Sequence, residues 1–426
     1  MEQTSNNQDL GKQLALGQLS SLSAAETIQL LIPEFEQELK SNVLPFWLKL
    51  APNPDHGGFH GAVQSNGEPY PAAPRWSLTV ARLLWTFSAA YRHYKDLEYL
   101  QIATRAYEDL EHTFWDAEHK GFVWSVTYEG QFMEVNKQIY LQGFAIYGYS
   151  EYFRATENVE ALERAKEIYA LIERHGMDSN NGGYIEWLTQ DWNSQPDEPV
   201  NYIGSSTPKS QNTHLHLLEA YTNLLRVWPD ENLRAKTIAL AHILLDKIYD
   251  ERTKHLKLFT DNLWNEEGDK ISYGHEIEFA WLVSEAADVL QDEEISQSAG
   301  KVALEIANTT LSAGLTEDGS IAPESHRKEV LATSNREGWA QAEGILGFLN
   351  AHQRTGDVQY LTAAHRVWEF TKNRVINKQD VGGWYFFLAS DGEPIDTPAI
   401  HQFACPYHNG RAMMEGIERL SQFAQS

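Results

Sequence analysis

Three things are scarce in this sequence of 426 residues: cysteine, basic charge and long apolar runs. The single cysteine, Cys405, excludes an internal disulfide and fits a reducing compartment. No apolar run approaches the roughly 18 residues that span a membrane. The opening residues, MEQTSNNQDLGKQ, show no basic segment followed by an apolar one, so no secretory signal is visible. We therefore expect a cytoplasmic protein without a membrane partner.

Basic residues are also too few for a nucleic-acid partner. The chain has 34 Lys and Arg against 60 Asp and Glu, a formal net charge of −26 at pH 7, so no basic stripe can neutralise phosphates. Several catalytic motifs are missing as well: there is no Walker A loop, no GxGxxG after a strand, no GxSxG and no HExxH. Aromatic residues, in contrast, are plentiful, with 13 Trp, 19 Tyr and 17 Phe. Rings beside carboxylates are what a carbohydrate pocket needs.

Amphipathic segments come in pairs along the chain. Helical periodicity starts at residue 24, after a polar stretch that predicts a flexible arm over residues 1–22 and a catalytic domain over 23–426. Turns with an acidic residue recur about every 60–75 residues, and all but one of them contain glycine, mostly followed by an aromatic residue. They lie at 55–59, 116–122, 178–184, 250–256, 317–319 and 380–384. The short Gly-aromatic stretches that follow predict small β-ribbons.

Six helical hairpins that cannot bury their apolar faces alone indicate a closed ring. We predict an all-α fold, a single-domain (α/α)6 barrel with short β-ribbons in the connecting loops. An open solenoid is the rival. It would end in a polar capping repeat, whereas the last segment carries some of the richest candidate chemistry, so closure is favoured.

The stretch SQNTHLHLLEAY is an unusually polar helix face. Asn212, His216 and Glu219 lie at i, i+4 and i+7 and so share that face. His214 and His216 are about 200° apart on a helix and cannot bind one metal. We therefore reject an HxH zinc site and expect His214 to be structural.

Two further histidine motifs follow. His275 and Glu278 are at i, i+3, with Trp281 three residues further on, a spacing that suits a carboxylate beside an imidazole. His408 lies in CPYHNGR, where Pro and Gly indicate a loop that leads into a helix. Cys405 is three residues away, but one such pair is weak evidence for a thiol nucleophile.

Two other helices place a polar group among apolar residues. Arg82 lies in SLTVARLLWTFSAAYR and must contact a carboxylate or a ligand, because a buried guanidinium cannot become neutral. Trp339 and Glu343 share a face at i, i+4. Several histidines around one pocket favour proton transfer at a carbon next to a carbonyl. A glycosidase with two flanking carboxylates is the alternative, and a non-catalytic carbohydrate-binding protein leaves three histidine motifs unexplained.

The motifs ARLLWTFSAAYR, NTHLHLLEAYTNL, YGHEIE and CPYHNGR together resemble the cellobiose 2-epimerase branch of the N-acylglucosamine 2-epimerase superfamily. The resemblance runs from about residue 44 to residue 416. It implies an (α/α)6 barrel that epimerises aldoses at C2, or isomerises them to ketoses, without a metal or an organic cofactor. The implied partner is a small sugar, and we expect a monomer or a weak homo-oligomer.

The resemblance also implies a role for each matching residue. His275 and His408 would be the acid and base on opposite faces of C2, acting through a cis-enediol or enediolate. His216 would open the sugar ring, Glu278 would support His275, and Arg82 would stabilise the developing negative charge. The remaining candidates would line the sugar site: Tyr140, Asn212, Trp281, Trp339, Glu343 and Phe403.

Two departures from the family pattern bear on the substrate. Relatives acting on disaccharides usually carry tryptophan where this chain has Phe403, and Trp-Trp-Pro where it has Gly338-Trp339-Ala340. Each change removes indole surface that could stack on a second sugar ring. The segment 191–209 is predicted to be a flap over the pocket. We therefore predict an isomerase that interconverts D-mannose and D-glucose. The alternatives are a cellobiose or mannobiose 2-epimerase acting at the reducing end and an aldose–ketose isomerase.

Overall fold

The computed structural model describes residues 22–194, 206–327 and 335–424. The predicted arm over 1–22 lies outside this range except for its last residue, and the central part of the predicted flap, 195–205, lies outside it too. The described part contains thirteen α-helices, numbered here in chain order. One short helix, α2 (Leu44–Leu50), follows the first long one, and the other twelve form two concentric layers.

The inner layer consists of six helices of 17 or 18 residues. They are α3 (Ser77–Tyr94), α5 (Ile139–Thr156), α7 (Gln211–Val227), α9 (Tyr273–Leu290), α11 (Gly338–Thr355) and α13 (Tyr407–Ala424). The outer layer is α1 (Ala24–Glu38), α4 (Leu97–Asp109), α6 (Val159–Leu171), α8 (Glu231–Ile243), α10 (Glu293–Thr309) and α12 (Val358–Phe370). Each outer helix ends in a five-residue π-helical turn.

Short links between inner and outer helices have a clear sequence origin. After α3, Lys95 takes a left-handed conformation that ends the helix, and the Asp96 side chain then caps α4 by accepting from a backbone N–H. The same left-handed residue followed by an Asn or Asp cap links α5 to α6, α9 to α10, and α11 to α12. Two-residue links of this kind make consecutive helices antiparallel neighbours.

The inner helices close into a ring. Each one packs against the next, and α13 packs back against α3. Five inner–outer pairs are consecutive hairpins, whereas the sixth pair joins the two ends of the chain, since α1 packs outside α13. The predicted all-α, single-domain (α/α)6 barrel is confirmed, with its sixth pair formed across the termini.

Short strands tie the loops together at one end of the barrel. The strands are β1 (Arg75–Trp76), β2 (Ser125–Val126), β3 (Phe132–Glu134), β4 (Lys137–Gln138), β5 (Trp187–Leu188), β6 (Lys209–Ser210), β7 (Tyr249–Asp250), β8 (His255–Leu256), β9 (Phe259–Thr260), β10 (Lys270–Ile271), β11 (Ser325–His326), β12 (Arg336–Glu337) and β13 (Phe387–Leu388). The strand before each of α3, α5, α7, α9 and α11 pairs antiparallel with a strand of the following loop. An isolated bridge between Val63 and Ile400 completes this circuit. Loops fixed in this way surround the N-terminal ends of the inner helices.

The fourth residue of four inner helices bonds to the backbone of the preceding turn. Gln142 and Gln341 each accept from a backbone N–H, at 3.0 and 2.7 Å. Glu276 accepts from Leu256 N at 3.3 Å. His214 occupies the same position, and its Nε2 accepts from Tyr184 N at 2.9 Å. His214 therefore anchors a turn, as expected for a structural histidine.

Candidate active site

A pocket of about 340 Å³ opens at the N-terminal ends of the inner helices. Its deep wall comes mainly from the second and sixth residues of these helices, which lie one turn apart on the inward face. The predicted site residues that line it are Arg82, Tyr140, Asn212, His216, His275, Glu278, Trp339, Phe403 and His408. The structure thus brings together candidates from six helices and one loop. Helix N-termini also carry partial positive charge, which favours an anionic ligand or intermediate.

His216 is held by its own helix. Its Nδ1 is 2.9 Å from Glu219 Oε2, the i+3 carboxylate that the sequence placed on the same face. Its Nε2 is 3.9 Å from Glu278 Oε2. The imidazole packs on Phe144 and Tyr140, with ring centroids 4.7 and 5.3 Å away. Because Nδ1 is occupied, Nε2 is the nitrogen available to a ligand.

His408 has an equivalent carboxylate from another helix. Its Nδ1 lies 2.7 Å from Glu343 Oε1. Glu343 also accepts from Trp281 Nε1 at 2.9 Å. Glu343 and Trp281 are both completely buried and do not belong to the pocket wall. This corrects the prediction that both would line the sugar site: Glu343 orients His408, and Trp281 supports Glu343 from behind.

Arg411 joins the carboxylates that hold these histidines. Its Nη2 donates to Glu343 Oε1 at 2.8 Å and to Glu278 Oε1 at 3.0 Å, and its Nη1 donates to Glu219. Its side chain is only 1% exposed, and it packs over the ring of Trp281 at 4.5 Å. One buried guanidinium therefore bonds to three buried carboxyl groups. Sequence reasoning missed this role, although an arginine three residues after His408 was the available signal.

His275 has a different partner from the one predicted. Its Nδ1 is 2.8 Å from Ser272 Oγ, the side chain that also caps α9. A second neighbour is Glu324, 3.8 Å away. Glu278 turns instead toward Arg411 and His216, so the predicted support of His275 by Glu278 is wrong. The i+3 spacing puts His275 and Glu278 on one side of the helix, but the Glu278 carboxyl group bonds to Arg411 instead.

Arg82 projects into the pocket from α3. Its Nη2 donates to Tyr140 Oη at 2.7 Å, and its Nη1 lies 3.5 Å from Cys405 Sγ. The guanidinium lies over the Phe144 ring at 4.2 Å and is 2% exposed as a residue. Among the described residues its Nε has no hydrogen-bond partner. Arg82 is therefore a cation that faces the pocket and has no ion-paired carboxylate among the described residues.

Burial keeps the three histidines neutral. It lowers the pKa of His275 to about 4 and that of His408 to about 3, and it also lowers the pKa of His216. The Glu343 and Glu219 carboxylates oppose this effect at His408 and His216 without overcoming it. Neutral imidazoles with Nδ1 held and Nε2 free can accept protons at neutral pH.

The two carboxyls beside Arg411 differ in charge. Burial alone would raise the pKa of Glu343, but Arg411 and His408 outweigh it and lower the pKa to about 2. Burial, followed by the charge of Glu343, raises the pKa of Glu278 well above its usual range. Glu278 therefore keeps a proton within 4 Å of both His216 and His408. It can supply a proton to the pocket while Glu343 remains ionised.

The same groups resemble a metal-ligand set but are already paired. Donor atoms of Glu278, Glu343 and His408 lie within 4.8 Å of one another. Oε1 of each carboxylate accepts from Arg411 Nη2. A cation placed among these atoms would meet the guanidinium, so the donor set does not fit a metal ion.

Aromatic rings cover the upper part of the pocket. Trp339 packs against both His275 and His408, with ring centroids 4.7 and 5.3 Å away. Phe403 lines the pocket as predicted, and three phenylalanines that sequence reasoning missed join it: Phe259, Phe386 and Phe387. The signal for two of them was the adjacent pair in GGWYFFL.

Gly338 lets the segment that carries Phe386 and Phe387 pack closely against the start of α11. A Cβ at this position would come 2.5 Å from the Tyr385 carbonyl oxygen, and Gly338 N donates to Phe386 O at 3.0 Å. A tryptophan could not occupy this position without moving the strand. The segment that packs against Gly338 carries Phe386 and Phe387, which line the pocket.

Comparison with known proteins agrees with this geometry. The profile of the N-acylglucosamine 2-epimerase (GlcNAc 2-epimerase) family matches residues 57–409. The chain belongs to this family. It is therefore an enzyme of the isomerase class. The structure of cellobiose 2-epimerase from Bacillus thermoamylovorans superposes with a TM-score of 0.87 at 37% identity, covering 92% of this chain and 100% of that one.

Two sequence relatives extend over nearly the same length. The cellobiose 2-epimerase of Bacteroides fragilis is 39% identical over 393 residues, covering 91% of this chain and 98% of the relative. That of Dictyoglomus turgidum is 36% identical over 393 residues, covering 92% of this chain and all of the relative. No helix in the described ranges has the length and apolar character to cross a membrane.

Proposed function

We propose that this enzyme inverts C2 of the reducing-end glucose of a disaccharide such as cellobiose. The observation that carries the proposal is the pair His275 and His408, both neutral and both packed against Trp339 in one pocket. Proton abstraction and return at one carbon need two such groups. The similarity to cellobiose 2-epimerases over more than nine tenths of the chain supports the substrate class.

The reaction begins with opening of the sugar ring. His216 Nε2 takes the proton of the C1 hydroxyl while the protonated Glu278 carboxyl, which lines the pocket, gives a proton to the ring oxygen, and this yields the open-chain aldehyde. The hydrogen bond of Nδ1 to Glu219 stabilises the imidazolium that forms. Glu278, which keeps its proton, lies close enough to His216 to take part in this exchange.

Epimerisation then takes place at C2. A neutral imidazole removes the C2 proton, and the electron pair of the C–H bond forms the C1–C2 double bond of a cis-enediolate. The negative charge moves to O1, where the Arg82 guanidinium stabilises it. The other imidazole takes up a proton from solvent while the enediolate is present and donates it to the opposite face of C2, and the first imidazolium then releases its proton to solvent. His275 and His408 exchange roles in the reverse direction.

The second sugar ring has an apolar surface to stack on. Beyond Trp339, the pocket carries four phenylalanines, Phe259, Phe386, Phe387 and Phe403. Aromatic faces pack well on the apolar faces of sugar rings. A volume of about 340 Å³ lies within the range of roughly 300–1,000 Å³ that is common for small-molecule sites. These features favour a disaccharide.

A second candidate, interconversion of free D-mannose and D-glucose, rests on Phe403. A phenyl ring there offers less stacking area than an indole, which weakens the hold on a second ring. The two candidates share every chemical step and differ only in the number of rings bound.

Product analysis by NMR tests both candidates. Cellobiose, mannobiose, glucose and mannose are incubated separately with the enzyme, and C2 epimers and ketoses are quantified. We expect kcat/KM to be highest with cellobiose, giving the disaccharide with mannose at its reducing end. A higher kcat/KM with mannose than with cellobiose would establish the second candidate instead. Ketose as the main product would show that the proton returns to C1.

A further inference from the structure

A second cavity, of about 250 Å³, lies at the opposite end of the barrel. It is formed by the C-terminal halves of inner helices, and its lining includes Trp85, Tyr147, Asn223, Glu285 and Glu415. Tyr407 separates it from the catalytic pocket, because the Tyr407 ring meets those of Trp85 and Tyr147 edge-on at 5.7 and 6.1 Å. No residue that lines the catalytic pocket lines this cavity.

The charged groups of the cavity balance one another. The Glu151 side chain is 1% exposed and accepts from Arg92 Nε at 2.5 Å and from Arg154 Nη1 at 2.7 Å. Arg226 Nη2 pairs with Glu285 at 2.5 Å. Because these arginines already have carboxylate partners, the cavity presents little unpaired charge to a ligand. An ionic ligand would have to break existing pairs, whereas a neutral one would not.

Two neutral polar groups in the same wall have no hydrogen-bond partner among the described residues. Trp85 and Tyr147 are 5% and 6% exposed and stack face to face, with centroids 5.0 Å apart. Within the described part of the chain, the Trp85 indole N–H has no hydrogen-bond partner. The Tyr147 hydroxyl likewise makes no hydrogen bond to a described residue. Buried donors are normally satisfied, so an unpaired donor beside a cavity indicates a missing acceptor.

The remaining lining both donates and accepts hydrogen bonds. The Asn223 amide is already bonded at both ends, since it donates to Glu151 and accepts from Arg154. Burial together with the charge of Glu285 raises the pKa of Glu415 to about 7, so this carboxyl is partly protonated at neutral pH and can donate as well as accept. Hydroxyl groups, which donate and accept, match such a wall. The cavity is smaller than the roughly 300 Å³ at which sites for drug-sized ligands begin, which suits one sugar-sized ring.

We propose that this cavity is a second ligand site, for a neutral polyhydroxylated molecule of about one ring, bound through Tyr147, Glu415 and the paired Arg and Glu side chains around them. The site is separate from the catalytic pocket and does not depend on which sugar is epimerised.

Binding of myo-inositol and of D-glucose tests the proposal. Myo-inositol has no anomeric carbon and cannot react. Dissociation constants are measured by saturation-transfer NMR titration for the wild type and three variants. Ala89→Leu fills the cavity, since Ala89 lines it and is 7% exposed. Tyr147→Phe removes one hydroxyl. Asn212→Leu, in the catalytic pocket, is the matched control.

We expect wild type and Asn212→Leu to bind myo-inositol equally. Tyr147→Phe should weaken binding about 5- to 10-fold, the effect of one hydrogen bond, and Ala89→Leu should abolish it. Epimerase activity of the two cavity variants shows that they are folded, and Tyr147→Phe suffices if Ala89→Leu does not fold. The proposal is overturned if neither probe binds saturably, if Ala89→Leu and Tyr147→Phe bind like wild type, or if only Asn212→Leu loses binding.

Discussion

Arg411 and His408 share one oxygen atom: Oε1 of Glu343 accepts from Arg411 Nη2 at 2.8 Å and lies 2.7 Å from His408 Nδ1. The guanidinium keeps Glu343 ionised, and the ionised carboxylate fixes the His408 tautomer with Nε2 toward the pocket. Through Glu219, the same arginine is linked to His216. Two histidines in the proposed mechanism thus depend on one buried cation.

Replacing Arg411 should therefore affect both activity and stability. Arg411→Met leaves buried carboxylates without a counter-charge, which costs about 3–5 kcal/mol of unfolding free energy. We also expect kcat to fall at least about 100-fold. Arg411→Lys should recover part of the stability and little activity, because a single ammonium cannot reach three carboxylates in a fork. Urea unfolding and steady-state kinetics measure both effects.

The control for Arg411 is Arg354→Met, in the same barrel but at a part-exposed ion pair with Asp288. Its loss should change stability by no more than about 1 kcal/mol. If Arg411→Met were as active as this control, the network would have no part in catalysis.

The two-base mechanism predicts distinct isotope behaviour for the histidine variants. In heavy water the wild type should place deuterium at C2 of the epimer formed. His275→Ala and His408→Ala should each lower epimerisation by about 100- to 10,000-fold while circular dichroism stays unchanged. Either variant can still exchange the C2 proton of one epimer with solvent through the remaining base. Substantial inversion by either single variant would disprove the assignment.

The lowered histidine pKa values set the pH dependence. The pKa is about 4 for His275 and about 3 for His408. Both imidazoles therefore stay unprotonated well below pH 6.5. The acid limb of kcat/KM should fall below pH 6.5, with little change between pH 6.5 and 8. An acid limb centred at 6.5 or above would contradict this electrostatic account.

The free energy of unfolding should also depend on pH through the buried histidines. In the unfolded chain the histidines take up protons below about pH 6.5, whereas the folded forms resist protonation down to about pH 4 for His214 and His275 and to about pH 3 for His408. Unfolding therefore takes up protons, and the free energy of unfolding should decrease as the pH falls through this window. Urea midpoints at pH 7 and pH 5 measure it, and His214→Gln should reduce the slope.

Aromatic substitutions should shift the choice between one ring and two. Phe403→Trp enlarges the stacking surface and should raise kcat/KM for cellobiose about fivefold, corresponding to ~1 kcal/mol. Phe386→Ala should lower it by a similar factor, with mannose turnover affected less. Phe370→Ala, at a ring packed among Val375 and Leu388 away from the pocket, is the control for stability alone. Equal effects on both sugars would show that these rings do not contact a second ring.

Chelators should leave activity unchanged. Arg411 already binds the carboxylate oxygens that could hold a cation. Dialysis against EDTA followed by assay in metal-free buffer checks this. Loss of activity that Mn²⁺, Mg²⁺ or Zn²⁺ restores would refute the prediction.

The sequence by itself determined the architecture. Apolar spacing, helix-capping pairs such as Lys95-Asp96 and turns every 60–75 residues specify paired helices, since each is a local property of the chain. Spacing of i, i+4 likewise put Asn212 and His216 on one inward face, where they lie.

Only the tertiary structure decided the hydrogen-bond partner of each site residue. Within one helix the spacing offered Glu278 to His275, but Arg411, 133 residues away in sequence, takes that carboxylate and Ser272 holds the histidine. Trp281 lies behind the pocket and not in its wall, because its indole N–H donates to Glu343 of another helix. Burying a polar or charged group costs free energy unless it is hydrogen-bonded or ion-paired. The partner is therefore set by which group lies nearest in the folded structure, whatever the distance along the chain.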